Sequence, residues 1–228
     1  MDDISRTESQ AARGPIWDAP LRLFHWALVA LIAGAWWTGE EQQLDWHLYI
    51  GMTILILILF RLFWGFFGGS TARFSQFAAG PARIRAYLAD SASWRGIGHN
   101  PLGSLSVFAL IAVVALQVAL GLFSTDNDGL MEGPLAGLVS LDTTDRLTEL
   151  HETMFNVLLG LIGLHIAAIL YYRLRGKNLV GPMLTGNGPV PPGTQPLRKA
   201  RWWVALLCLI AAWAIAGAIW TIGTSGGG

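Results

Sequence analysis

The chain has 228 residues, of which 53% are hydrophobic and only 13% charged, with a mean hydropathy of +0.48. A soluble domain carries about a quarter charged residues, so this composition excludes an ordinary water-soluble domain and indicates a chain embedded in lipid. With a formal net charge of zero, the informative quantity is where the charges lie, not their sum.

The first 16 residues are polar and form a tail, residues 1–16. No small-residue cleavage site follows the first apolar run, so that run reads as an uncleaved membrane helix and not as a signal peptide. A helix crosses the hydrocarbon core with roughly 20 mostly apolar residues, and five segments qualify: Leu21–Thr38, Trp46–Phe67, Leu102–Phe123, Leu147–Tyr172 and Trp202–Ile222. Eleven tryptophans suit such a chain, because indole rings anchor at the headgroup level. Between the second and third spans, Phe74–Leu88 reads either as an amphipathic helix on the membrane surface or as a plain connecting loop. Gly186–Pro196, rich in Gly and Pro, reads as a flexible linker. The predicted organisation is an all-α membrane four-helix unit over 17–185, a linker over 186–201 and a fifth transmembrane helix with its tail over 202–228, with residues 226–228 expected to be disordered.

Basic residues mark the cytoplasmic side of membrane proteins. Arg6, Arg13 and Arg22 precede or open the first span; Arg73, Arg83, Arg85 and Arg95 lie in the second connection; Arg173, Arg175, Lys177, Arg198, Lys199 and Arg201 lie in the fourth. The first and third connections hold Glu40, Glu41, Asp45, Asp126, Asp128, Glu132, Asp142, Asp145 and Glu149, with Arg146 as their one cation. The expected placement is a multi-pass protein of the bacterial inner membrane, N-terminus cytoplasmic and C-terminus periplasmic.

Ionisable side chains inside a membrane are costly and mark function. Four of the five histidines fall within the predicted spans. His151 and His165 share the fourth, separated by fourteen residues, or about 21 Å along the axis and about 40° around it. One helix therefore presents two imidazoles on one face at two depths. By depth, His47 meets His151 at the outer level and His25 meets His165 at the inner one. Two axial nitrogens per level suit haem iron, whereas zinc takes four ligands at one place, or three and water. The single cysteine, Cys208, excludes disulfide, iron–sulfur and covalently attached haem chemistry, so the expected cofactors are two non-covalent b haems with His25, His47, His151 and His165 as axial ligands. His99, in Gly-His-Asn-Pro, reads as a helix-entry residue.

Arg61 follows His47 by fourteen residues and shares its face. There it either pairs with an inner-haem propionate or snorkels to the headgroups; Arg22 is a weaker candidate for the same role. Gly51, Gly160 and Gly163 offer close approach to a haem face or ordinary helix packing. Asn156 reads as an interhelical hydrogen bonder, and Met52 and Met154 as packing residues.

Leu23-Phe24-His25-Trp26, His47 with Gly51, Leu150-His151-Glu152 and Gly163-Leu164-His165 resemble the prokaryotic cytochrome b-561 family, which includes cytochrome b subunits of nickel–iron hydrogenases. Arg61-Leu62-Phe63-Trp64-Gly65, Gly98-His99-Asn100-Pro101-Leu102-Gly103 and Asn178-Leu179-Val180 extend the resemblance over roughly Ile16–Gly186. It implies a four-helix bundle binding two haems in the same pairing, and electron transfer in a respiratory chain involving quinone. The fifth helix departs from that four-helix pattern. The acidic third connection suits a basic periplasmic redox protein such as a c-type cytochrome. Alternatives are a superoxide:ubiquinone oxidoreductase, which would need Arg146, and a haem-bearing anchor subunit of a hydrogenase or dehydrogenase. Expected partners are membrane lipid, quinone and a periplasmic redox protein, with no nucleic acid.

Overall fold

A computed structural model describes residues 13–91, 94–126, 131–195 and 197–225. Arg6, Asp128, Pro196 and the tail 226–228 lie outside the described residues. Five helices are long and apolar enough to cross a membrane: α1 (Ala19–Glu40), α2 (Leu44–Phe67), α5 (Pro101–Gly121), α6 (Leu141–Leu174) and α8 (Trp202–Ser225). Shorter helices α3 (Phe74–Phe77), α4 (Pro81–Ala89) and α7 (Val180–Thr185) lie in the connections.

Local sequence explains where the spans begin. Asp18 caps α1 by accepting from Leu21 N at 2.9 Å, Asn100 caps α5 by accepting from Gly103 N at 2.7 Å, and Ser140 caps α6 by accepting from Thr143 N. A side-chain acceptor at this position satisfies one of the orphan amides of the first turn, and Pro101 at the start of α5 gives up an N–H that had no helical partner. Ser140 starts α6 six residues before the predicted span, so this helix runs 34 residues and carries both of its histidines well inside.

The helices pack α1 on α2, α2 on α5 and on α8, and α5 on α6. In the middle of the bundle, Leu158 of α6, Ile54 and Ile58 of α2 and Val114 of α5 belong to one buried apolar cluster, all with 5% exposure or less. Leu158 lies halfway between His151 and His165, on the same face. An apolar plug therefore separates two polar levels.

At the basic end the connections are tied together. β1 (Arg13–Pro15) pairs antiparallel with β2 (Asn187–Pro189), and Ile16 N and Trp17 N both donate to Gly186 O. Thr71 Oγ1 donates to Ile16 O at 2.7 Å, and Ser70 N donates to Arg198 O at 3.0 Å. The Gly- and Pro-rich stretch expected to be a flexible linker is thus a strand over Asn187–Pro189, because the N-terminal segment supplies its backbone partners. Phe74–Leu88 is neither one helix nor a loop: α3 closes where Ala78 N donates to Phe74 O, and Pro81, which has no N–H, opens α4.

Candidate functional site

The acidic-end pair is built by four helices. His47 sits in the first turn of α2 and His151 in α6; their rings stand 6.1 Å apart between centroids with planes at 83°. His47 Nδ1 lies 2.9 Å from Ala35 O of α1, and His151 Nδ1 lies 2.9 Å from Gln117 O of α5. Each ring thus donates Nδ1–H to a carbonyl, which leaves the Nε2 lone pair free to bind. A metal–imidazole bond is about 2.0–2.1 Å, so two rings sharing one ion across an axis have centres roughly 6 Å apart. The observed spacing fits that arrangement.

Two glycines and one glutamine around this pair carry no signal in the sequence. A Cβ on Gly121 would stand 2.9 Å from Cε1 of His151, and one on Gly39 would stand 3.3 Å from Nδ1 of His47. A side chain at Gly121 would therefore force the His151 ring to shift, and one at Gly39 would crowd His47. Gln117 Nε2 lies 3.2 Å from His151 Nε2, so in this state its amide donates to the nitrogen that a metal would take, while its buried Oε1 has no partner. Gln117 becomes visible only once α5 is laid against α6.

At the basic end, His25 and His165 lie close enough for their charges to interact, without the ring contact of the other pair. His25 Nδ1 is buried and lacks a hydrogen-bond partner. Arg61 is 1% exposed, and neither Nη1 nor Nη2 has a partner. Its guanidinium lies 4.6 Å from the centroid of the Phe74 ring, which occupies the space beside Gly65. The snorkelling alternative is therefore not realised: Arg61 points into protein, not to the surface. The nearby carboxylate of Asp18 is otherwise engaged, accepting from Leu21 N and from Trp64 Nε1 at 3.2 Å. A buried guanidinium with two idle forks is an anion site in want of an anion, and a haem carboxylate fits it. Arg22 is committed elsewhere, donating to Leu184 O and so pinning α7.

His99 departs from its expected role. Asn100, not His99, caps α5. The His99 ring packs between Trp17, at 4.6 Å, and Phe77, at 4.9 Å. Burial, and then the facing Arg61, His165 and His25, push its pKa down to about 3, so the ring is neutral.

The other predicted residues sort by face. Gly51, one turn after His47, fronts open space, with no atom within 4 Å of an added Cβ. Gly160 and Gly163 also front open space, but nine and twelve residues place them about 180° and 120° around α6 from His151, away from the histidine face. Asn156 turns back on its own helix, donating to Glu152 O at 3.2 Å, and makes no bond across the bundle. Among the described residues no three of His, Cys, Asp or Glu come together. His47 and His151 are brought together as a ring pair, a donor set that suits a haem iron.

A family model described as prokaryotic cytochrome b561 matches residues 16–186. The probable Ni/Fe-hydrogenase B-type cytochrome subunit of Azotobacter chroococcum mcd 1 is 28% identical over 152 residues, covering 53% of this chain and 62% of the relative. The chain thus spans less than two thirds of that relative's length. No solved structure matches.

Proposed function

The chain belongs to the prokaryotic cytochrome b561 family, multi-pass membrane b-type cytochromes of electron transfer, and from that premise we propose that it carries two b haems and passes electrons between a redox protein at its acidic end and membrane quinone. His47 and His151 hold the outer haem, His25 and His165 the inner one, and Arg61 pairs with an inner-haem carboxylate. Bound haem supplies reversible one-electron chemistry at iron. The protein's own work is to fix the ligating tautomers and keep water out. The observation that carries this reading is the opposed outer pair, 6.1 Å between ring centres with both Nδ1 atoms committed to carbonyls. Fourteen residues of α6 set the two levels about 21 Å apart, and haem is wide enough to narrow that gap between edges.

The bias of positive charge supports a periplasmic acidic end and a cytoplasmic basic end in a bacterial inner membrane. An acidic docking face suits a basic partner such as a c-type cytochrome. A second reading is favoured by the name of the Azotobacter relative: the chain is the haem-bearing anchor of a hydrogenase-like enzyme. The superoxide reading has less support, because the acidic end disfavours an anionic substrate and Arg146 is the one cation the sequence places there.

The test is electron transfer by the purified protein in liposomes, between reduced c-type cytochrome outside and a quinone analogue in the bilayer. Transfer that His47→Ala abolishes supports the conduit. Transfer seen only when a hydrogenase-like subunit is added supports the anchor. Equal rates with and without the protein contradict both.

A further inference from the structure

Four described residues at the basic end hold buried nitrogens without a partner: Nε of Arg22, Nδ1 of His25, Nη1 and Nη2 of Arg61, and Nδ1 of His99, and the last two residues share one setting. They come from different elements, yet one aromatic block holds both. Phe74 lies under the Arg61 guanidinium, Phe77 packs on His99, and Phe74 and Phe77 each lie 5.4 Å from Phe108. Trp17 also packs on His99, 4.6 Å between ring centroids. The preceding residue, Gly98, has φ +82, and a Cβ there would meet Trp17 at 3.3 Å; the left-handed turn that presents the imidazole is one glycine adopts at no steric cost. On the other side Asn100 anchors the backbone as a helix cap and donates Nδ2–H to Tyr87 and Tyr172 at 2.9 and 3.0 Å. The imidazole is thus held by two aromatic rings and at both chain neighbours. Its electrostatic neighbours are Arg61, His165 and His25.

A buried polar ring nitrogen left without a partner costs about 1–3 kcal/mol, and in the tautomer that carries its hydrogen on Nδ1 the missing partner is an acceptor. Asp18 is not it, being bonded to Leu21 N and Trp64 Nε1. We propose that His99 donates Nδ1–H to a carboxylate of the inner haem, forming with Arg61 a two-residue clamp for that haem's acidic edge. The assignment rests on the reading that His25 and His165 hold a haem. His99 is then a positioning residue. Its hydrogen bond offsets the carboxylate charge and so favours the reduced iron.

The experiment is a spectroscopic redox titration of purified wild type, His99→Leu and His99→Asn, with haem counted by extraction in each. The inner component is identified as the one missing in His165→Ala. Asn can return an N–H near the place of Nδ1; Leu fills the volume without it. The expected result is two haems in both variants, with the inner component of His99→Leu titrating at lower potential. At a fixed poise its reduced-to-oxidised ratio should fall about threefold or more, a fraction of one hydrogen bond to a charged group because the carboxylate is bonded in both redox states, and His99→Asn should recover most of the change. Combined with Arg61→Gln, the shift should be less than additive, as for two donors on one partner. Loss of the inner haem in His99→Leu with retention in His99→Asn also supports the clamp. An inner component that titrates as wild type in both variants overturns it. So does an unchanged potential with weakened binding of a quinone analogue, which would put the imidazole on a quinone carbonyl. Wild-type protein without haem would overturn the underlying reading instead, and the extraction step tells the two failures apart.

Discussion

His47 and His151 make the sharpest residue-level prediction because their partners are fixed by helix backbone. His47→Ala and His151→Ala should each reduce haem content from two per chain to about one, leaving the other component's spectrum intact; pyridine haemochrome assay after extraction measures this. Retention of two haems in either variant would remove that residue from the ligand set. Gly121→Val gives a subtler test. Its Cβ would meet the His151 ring at 2.9 Å, so it should lose the same haem component as His151→Ala without touching a ligand, whereas Gly160→Ala, which meets nothing within 4 Å, should keep both. The histidines were legible in the sequence because depth and helix period depend only on position along the chain. Gln117, Gly39 and Gly121 were not, because their importance arises where one helix crosses another. His99 was misread for a related reason: Gly-His-Asn-Pro announces a helix start, but which of its residues caps and which turns inward is decided by Trp17 and Phe77 from distant segments.

At the scale of elements, α8 is the part with no histidine and no counterpart in the four-helix pattern. It packs on α2 through Cys208, Ala212 and Ala216, at 5%, 0% and 2% exposure, one turn apart. Small residues at this spacing let two backbones approach. Ala212→Leu should therefore lift α8 from α2 and destabilise the protein by about 1–3 kcal/mol, read as a lower melting temperature in detergent, while the haem count stays at two. Loss of haem in this variant would mean that α8 shapes the haem sites directly. The span itself was plain from hydropathy, but its docking side was not: almost every position of α8 is apolar, so no amphipathic face marks the contact. The same limit applies at the basic end, where β1 and β2 are three residues each and pair only because α1 and α7 bring them together.

At the scale of the molecule, charge separates the two ends of the bundle, with Arg146 at the acidic end and Asp90 at the basic end among the exceptions. Arg13, Arg73, Arg198 and Arg173 belong to one end; Glu40, Asp45, Glu132 and Asp142 belong to the other. In inside-out and right-side-out vesicles of a Cys208→Ser background, a cysteine at Leu141 should react with an impermeant maleimide from the periplasmic side alone, and one at Thr194 from the cytoplasmic side alone. The reverse pattern would invert the proposed docking face. Fold class and span number were readable from composition and segment length. The two levels of the interior were readable from α6 alone. What required the structure was the apolar plug around Leu158 that divides them, and the idle buried donors of Arg61 and His99 that mark the inner level. The central claim is two haems held by two histidine pairs, and the most direct test is a reduced-minus-oxidised spectrum with haem extraction on the purified chain. Two non-covalent b haems per chain, and none after His151 and His165 are replaced together, is the result predicted. No haem in the wild type, or an unchanged count in the double variant, would contradict it.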